Sequence, residues 1–182
     1  MARVPYLDVA DLPPEEQDLL KRPIALHKAL VNSPKGARAF AALGQFIRYG
    51  SKLDPRLREL AILQVGWLAR SPYEWSHHIK IGHDFGVTDA DIRALIEESA
   101  GRATQLDALT RTVLRAAREM TGQGAMSDAS FAALQAALGH EQVVDLTLTI
   151  GFYNAVVRVL ATLQIDVEPE YAPYLQQFPL PQ

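Results

Sequence analysis

The sequence contains no cysteine among its 182 residues. Disulfide bonds, thiolate nucleophiles and zinc sites with cysteine ligands are therefore excluded from these residues. Basic residues are not in excess either, because the formal net charge is −3, and no basic stripe stands out. A nucleic-acid-binding protein would be expected to carry such a stripe, so we expect no nucleic-acid partner.

No segment of the sequence has the features of a targeting or membrane-spanning element. The N-terminal stretch MARVPYLDVADLPPEE is acidic and lacks the apolar run of a secretory signal. The most apolar segment, residues 143–163, is long enough to cross a bilayer, but it carries Asp145, Asn154 and Arg158, which are costly in hydrocarbon. We therefore expect a buried helix in a soluble, cytoplasmic protein, with no membrane partner.

Helix signals recur along the chain, and no Asn-Gly or Asp-Gly hairpin turn is present. Asp54-Pro55 and Ser71-Pro72 each fit an N-cap followed by proline at the first helical position. They predict helices that end near Ala69 and at Phe85. Other helices are predicted over 14–31, 34–49, 88–100 and 104–120, with a short one from Ser127 and a long one from Glu141. The sequence thus predicts one all-α domain over residues 1–182, with proline-rich tails.

A helical wheel of residues 72–85 separates two adjacent histidines. Glu74 and His78, four positions apart, fall in the apolar sector, whereas His77 falls on the opposite side. We therefore predict that His78 faces the core and that His77 faces solvent.

The preceding helix carries one acidic residue, Glu59, among apolar wheel neighbours. A buried carboxylate either pairs with another group or holds its proton more tightly. His78 is the natural partner in an antiparallel helical hairpin, and a carboxylate beside an imidazole can carry out general acid–base catalysis near neutral pH.

A structural interpretation of the same residues is also open. Ser71-x-x-Glu74 fits a capping box, in which both side chains satisfy backbone N–H groups. His78 and Glu59 can equally form a buried pair without catalytic function. We expect no metal site, because Glu74 and His78 supply only two ligands and His77 points about 100° away.

The segment 56-RLRELAILQVGWLARSPYEWSHHIKIGHDFGVTDADIRAL-95 resembles the carboxymuconolactone decarboxylase family, which includes the alkyl hydroperoxidase D-like proteins. Peroxidase-type members carry Glu, eleven residues, Cys-x-x-Cys, three residues and His. Glu59, Ser71, Glu74 and His78 occupy these four positions in order. Since neither cysteine is present, a redox disulfide cannot cycle here, and thiol peroxidase activity is excluded.

The resemblance implies several properties that the residues alone do not. It implies an alkyl hydroperoxidase D-like multi-helical bundle, with residues 54–100 as the diagnostic core of one carboxymuconolactone decarboxylase-like domain. It implies a homo-oligomer, a trimer or a hexamer, with the site near a subunit interface. It also implies a lyase of the decarboxylase type that uses no cofactor, acts on a small oxygenated acid or lactone, and serves the catabolism of aromatic compounds.

The expected roles follow from combining the resemblance with the helical wheel. His78 is expected to donate a proton, Glu59 to set its charge and tautomer, and Glu74 to act as a second acid–base group. Neighbouring residues expected to contact the small-molecule substrate are Ser71, Tyr73 and Trp75. Isomerisation, hydration or lactone chemistry could use the same proton relay.

An alternative function stays open from the sequence. The chain could be a non-catalytic, oligomeric binding or interaction protein that keeps the scaffold. Two glutamates around one histidine also make the expected pocket acidic, which disfavours a polyanionic substrate. Basic residues that could offset this charge are Arg48, Lys52, Arg56 and Arg58.

Overall fold

A computed structural model of the protein describes residues 2–181, and this part of the chain is helical without a β-strand. Its eight α-helices are α1 (Ala25–Leu30), α2 (Pro34–Gln45), α3 (Pro55–Leu68), α4 (Pro72–Asp84), α5 (Asp89–Ser99), α6 (Ala108–Gln123), α7 (Asp128–Leu163) and α8 (Ala172–Gln177). Short 3-10 helices span Val9–Asp11, Pro14–Leu20 and Pro169–Tyr171, and a π-helical turn, Phe46–Gly50, extends α2. The prediction of an all-α fold is confirmed.

Helix α3 lies at the centre of the fold, where it packs against α4, α6 and α7. All its residues from Leu57 to Gly66 are buried, as expected for a helix that is apolar on nearly every side. The predicted start is confirmed, because the Asp54 side chain accepts a hydrogen bond from the Leu57 N–H at 2.9 Å. Pro55 occupies the first helical position.

Helices α3 and α4 form a tight hairpin. Arg70, in the connecting turn, has a left-handed backbone conformation with φ 48°. A Cβ atom on Gly66 would lie 3.4 Å from the Trp75 backbone nitrogen and 3.5 Å from Glu74 Cγ. The absence of a side chain at Gly66 therefore lets the two helices lie in direct contact beside Glu74.

The structure differs from the predicted helices near the N-terminus. Residues 14–31 do not form one helix, because the 3-10 helix Pro14–Leu20 ends before Pro23 and α1 begins only at Ala25. Proline lacks the N–H that a continuous helix needs, and it disfavours the helical conformation of the residue before it.

Two further differences concern helix ends. Helix α6 begins four residues later than predicted, because Asp107 caps it by accepting the Thr110 N–H at 2.9 Å. The short and long helices predicted from Ser127 and Glu141 run together as α7, with a non-helical residue, Gly139, between them (φ 74°).

Helix α7 is long and apolar enough to cross a membrane by length and composition alone. Half of its most apolar window is buried inside the protein, a property shared by core helices of soluble proteins. Within this window Asp145 is buried and accepts a hydrogen bond from the Ser51 hydroxyl at 2.7 Å.

The segment after α7, residues 164–178, crosses over α4, and we call it the C-terminal crossing. Its 3-10 helix and α8 both contact α4. The indole N–H of Trp75 donates to the Phe178 carbonyl at 2.7 Å. Glu168 accepts the backbone N–H of Ala25 at 2.7 Å, so the crossing also holds the start of α1.

Candidate functional site

The imidazole of His78 has a carboxyl group beside each of its nitrogens. Nδ1 lies 2.6 Å from Oε2 of Glu59 in a buried hydrogen bond. Nε2 lies 3.0 Å from Oε1 of Glu74, although the two groups are not aligned as a hydrogen bond. Glu59 comes from α3, whereas Glu74 and His78 lie one turn apart on α4. The helical hairpin thus brings together the three residues to which the sequence assigns catalytic roles.

Glu59 is fully buried, and its negative charge is compensated inside the protein. Arg58, which is 2% exposed, donates from Nε to Oε1 of Glu59 at 3.0 Å. Its guanidinium also lies over the ring of Phe85, 4.5 Å from the centroid. Burial alone would raise the pKa of Glu59, but His78 and Arg58 outweigh it and hold the pKa below its usual value. Glu59 is therefore the ionised carboxylate of the site.

The pKa of Glu74 is shifted in the opposite direction. Burial raises its pKa, and the negative charge of Glu59 adds to this rise, while His78 and Arg48 oppose it only in part. With Nδ1 of His78 hydrogen-bonded to Glu59, the other ring nitrogen, Nε2, lies beside the Glu74 carboxyl group. Glu74, His78 and Glu59 therefore lie in a row, with a hydrogen bond on the Glu59 side of the ring.

The side chain of Glu74 does not close a capping box. The Ser71 hydroxyl accepts the Glu74 N–H at 3.4 Å and so caps α4. The Ser71 N–H, which a capping box would leave for Glu74, donates instead to the Gly66 carbonyl at 3.0 Å. The carboxyl group of Glu74 is thus available to His78.

A cavity of about 240 Å³ borders this group of residues. Glu74, His77 and His78 line it, and Glu59 lies behind His78, outside the lining. The π-helical turn at the end of α2 contributes Arg48 and Tyr49 to the wall. Apolar side chains complete it: Ile24, Leu26, Phe40, Ile81, Phe152 and Val156. The cavity therefore combines an acid–base group, positive charge and an apolar body.

Only one of the three predicted substrate contacts lines the cavity. Tyr73 is part of its wall, whereas Ser71 and Trp75 are not. Trp75 is fully buried in a separate apolar cluster with Leu60 and Ile79. Its indole N–H is already bonded to the C-terminal crossing. Ser71 and Trp75 therefore position α4 and do not face the cavity.

The prediction that His77 faces solvent is wrong, because His77 is only 3% exposed. Its ring lies between those of Tyr73 and Tyr171, with centroids at 4.0 Å and 3.6 Å. Its Nε2 lies 2.7 Å from Oε2 of Glu168. The helical wheel of α4 could not show this, because the C-terminal crossing covers that face.

No local signal in the sequence points to Glu168 or Tyr171. Arg58 is predicted only as one of several basic residues that could offset acidic charge, although a cation next to a buried carboxylate is a recognisable pattern. Between residues 2 and 181, no cluster of three or more His, Asp or Glu side chains is arranged to hold a metal ion.

Comparison with known proteins gives a family match for the middle of the chain. Residues 34–119 match the sequence model of the Carboxymuconolactone decarboxylase family. The match extends from α2 into α6 and contains Glu59, Glu74 and His78. This segment of the chain is therefore similar to that family. Without a cysteine, the chain has no thiol with which to reduce a peroxide.

Solved structures similar to this chain share its fold. A peroxidase-related protein with an alkylhydroperoxidase AhpD core, from Ralstonia eutropha, has a TM-score of 0.80 at 17% identity, over 96% of this chain and 95% of that chain. A peroxidase-related protein from a Silicibacter species has a TM-score of 0.72 at 21% identity, over 93% and 92%. The debrominase Bmp8, as a cysteine-to-alanine variant in complex with 2,3,4-tribromopyrrole, has a TM-score of 0.80 at 19% identity, over 97% of each chain. The predicted alkyl hydroperoxidase D-like fold is confirmed. No curated protein sequence matches the chain.

Proposed function

We propose that the protein is a cofactor-free acid–base enzyme that acts on a small oxygenated acid or lactone. The observation that carries this proposal is the placement of His78 between two carboxyl groups at the wall of a cavity, with the pKa of one lowered and that of the other raised. Glu59 accepts the Nδ1 hydrogen, and Glu74, beside Nε2, holds its proton more tightly than an exposed glutamate does. Pairs of titratable groups whose surroundings push their pKa values apart are typical of acid–base sites.

Decarboxylation is one reaction that this group of residues can serve. Carbon dioxide leaves from a carbon conjugated with a lactone carbonyl, and the electron pair of the broken bond moves into a dienolate. That dienolate then takes up one proton at carbon. Because the lactone itself accepts the electrons, the protein has only to stabilise the developing negative charge and to deliver the proton. Glu74 and His78 would deliver it and regain it from water.

The charges around the cavity favour an acid as substrate. Arg22 and Arg48 line the cavity and can pair with a carboxylate. Because the pKa of Glu74 is raised, this residue does not add the negative charge that two glutamates around one histidine would otherwise present. Together these features make the pocket less acidic than its two glutamates alone would make it, and an anionic substrate is therefore compatible with it.

The size of the cavity favours a small ring. Pockets that hold drug-sized molecules have volumes of about 300–1,000 Å³, and this cavity, at about 240 Å³, lies below that range. The complex of the debrominase Bmp8 with 2,3,4-tribromopyrrole gives further support, because a protein of similar fold binds a small, flat, five-membered ring.

We also propose that the protein is a homo-oligomer, a trimer or a hexamer. In support, α7 exposes apolar side chains that one chain leaves uncovered: Phe131 is 44%, Val144 56% and Leu148 41% exposed. Light scattering coupled to size exclusion should give a multiple of the 20.1 kDa chain mass. A mass of one chain would contradict this proposal.

The enzymatic proposal is tested with His78→Gln on a panel of γ-lactones that carry a carboxylate and of β-keto acids. We expect kcat/KM to fall by about 10²–10⁴-fold, the usual contribution of a general acid or base, while Tm stays almost unchanged. His83→Gln is the matched control, because His83 lies on the same helix, is exposed and pairs with Asp89 outside the cavity. A wild-type protein that turns over no member of the panel would favour the alternative of a non-catalytic binding protein.

A further inference from the structure

A second histidine–carboxylate pair lies at the same cavity. His77 lines the cavity together with His78 and Glu74. Its Nε2 lies 2.7 Å from Oε2 of Glu168, and the His77 side chain is 4% exposed and that of Glu168 18%. Unlike the pair of His78 and Glu59, this pair joins α4 to the C-terminal crossing.

The hydrogen bonds around Glu168 fix which nitrogen of His77 carries a hydrogen. Oε1 of Glu168 accepts the Ala25 N–H at 2.7 Å and the Tyr73 hydroxyl at 3.2 Å, while that hydroxyl itself accepts the Leu26 N–H at 3.3 Å. A carboxylate with such donors is ionised and only accepts, so Nε2 of His77 donates to it. Nδ1 then keeps its lone pair, and among residues 2–181 it has no hydrogen-bond partner.

The surroundings of His77 suit a group that takes up a proton and later releases it. Burial lowers the pKa of His77 to about 4, against the opposing effect of Glu168, so the ring is neutral at pH 7. The neighbouring His78 and Arg22 lower the pKa further. The ring lies between the faces of Tyr73 and Tyr171, inclined to them by 15° and 16°, and beside a carboxylate. Both contacts favour the imidazolium that proton uptake forms, but burial outweighs them, so the ring also releases the proton readily.

The two pairs face one cavity from different directions. His77 and His78 are adjacent on a helix, so their side chains project about 100° apart around its axis. Both still line the same cavity of about 240 Å³, so both border the space that one bound molecule would occupy.

We propose that His77 is a second catalytic residue, a general base positioned by Glu168, and that the enzyme moves a proton between two carbons of one substrate. This inference rests on the proposed function and narrows it to isomerisation of a β,γ-unsaturated lactone or keto acid. His77 takes the proton from the carbon next to the carbonyl, and the electron pair of that C–H bond enters a dienolate. Glu74, which lines the cavity beside Nε2 of His78, gives a proton to the far end of the conjugated system, where the new C–H bond forms. No atom is gained or lost, and each pair returns to its starting state by exchanging one proton with water.

The test uses α-angelica lactone as the probe, in D₂O, with ¹H NMR as the readout and the rate in buffer subtracted. Wild-type protein should convert it to the α,β-unsaturated isomer, with deuterium at the methyl-bearing ring carbon. His77→Gln should lose both this conversion and the deuterium exchange at the CH₂ next to the carbonyl, each by about 100-fold. His78→Gln should lose the conversion to a similar extent and keep the exchange. Loss of both processes in His77→Gln at an unchanged Tm distinguishes a catalytic role of His77 from a structural one, and the exchange kept by His78→Gln assigns the two steps to the two histidines.

Glu168→Gln tests the positioning residue. We expect kcat to fall by about 10-fold with KM unchanged, since a general base of lower basicity transfers the proton more slowly. Glu170→Gln is the matched control, because Glu170 is an exposed carboxylate on the same segment.

Several outcomes would overturn the inference. If the wild-type protein turns over the lactone and keto-acid panel in a His78-dependent way while His77→Gln keeps wild-type rates, the proposed function stands and the second base is refuted. If the wild-type protein neither exchanges nor converts any compound, both proposals fail. Should His77→Gln not fold, ¹⁵N NMR of the wild-type protein decides, because a His77 ring that is charged at pH 7, or that carries its hydrogen on Nδ1, cannot act as the base.

Discussion

Two adjacent histidines on α4 receive their carboxylates from different parts of the chain. His78 pairs with Glu59, 19 positions earlier in the neighbouring helix, and His77 pairs with Glu168, 91 positions later in the C-terminal crossing. Glu59 is sealed from solvent and balanced by a buried guanidinium, whereas Glu168 is partly exposed and is stabilised by hydrogen-bond donors. The carboxylate of the His78–Glu59 pair is therefore stabilised by a buried ion pair inside the core. The carboxylate of the His77–Glu168 pair is stabilised by neutral hydrogen-bond donors at the edge of the core.

Of the two carboxylates, that of Glu59 should cause the larger loss in the free energy of unfolding when it is removed. Glu59→Gln leaves the charge of Arg58 buried beside a neutral amide, and breaking such a pair costs about 3–5 kcal/mol. We expect a loss of this size in the free energy of unfolding, measured with urea at pH 7. Glu97→Gln, which removes an exposed partner of Arg102, should leave the stability unchanged. An equally stable Glu59→Gln protein would show that Arg58 does not depend on this ion pair.

The contributions of Glu168 and Glu74 to the free energy of unfolding should depend on pH in opposite directions. The pKa of Glu168 is lowered, although burial alone would raise it, because hydrogen bonds to Ala25 and His77 favour its ionised form. Glu168 therefore contributes stability that is present above its unfolded pKa of about 4.5 and is lost as pH falls through the lower folded value. The pKa of Glu74 is raised, so its contribution is present below about pH 4.5 and is lost as pH rises through the folded value.

Glutamine variants isolate these two contributions. The stability difference between wild type and Glu168→Gln should grow as pH rises from 3 to 5. The corresponding difference for Glu74→Gln should shrink from pH 4.5 upwards, with urea unfolding at several pH values as the measurement. Differences that run in the same direction for both variants would contradict the assignment of Glu74 as the protonated group and of Glu168 as the ionised one.

The smallest expected effect concerns Ser71, the N-cap residue of α4. Because its hydroxyl accepts the Glu74 N–H at a long 3.4 Å, Ser71→Ala should cost only about 0.5 kcal/mol, the low end for an N-cap. Turnover should not change. Asp54→Ala, which removes a cap of 2.9 Å from α3, should cost more in the same unfolding experiment. A loss of turnover in Ser71→Ala would place its hydroxyl in the chemistry.

The His78 side of this comparison could be anticipated from the sequence, because its determinants are local. Asp54-Pro55 and Ser71-Pro72 mark the starts of α3 and α4, and a short connection makes the two helices antiparallel neighbours. Helical periodicity then places Glu59 of α3 and His78 of α4 on the faces by which the two helices contact each other.

The His77 side could not be anticipated in the same way. A helical wheel assigns buried and exposed faces from the residues of one helix only. No residue of α4 indicates that another segment of the chain buries His77. That cover comes from Tyr171 and Glu168, whose position depends on how the end of the chain packs. The single helix predicted over 14–31 is absent for a local reason, because Pro23 interrupts it.

The position of Glu168 limits what a match to a family model can tell about similar proteins. The segment of this chain that matches the family model ends at residue 119 and holds the whole α3–α4 hairpin, while Glu168 lies far outside it. Two proteins could therefore agree at every position of the hairpin and still differ in whether the second imidazole has a counter-ion. For anyone who sorts such proteins by probable chemistry, the last twenty residues deserve to be compared as carefully as the motif.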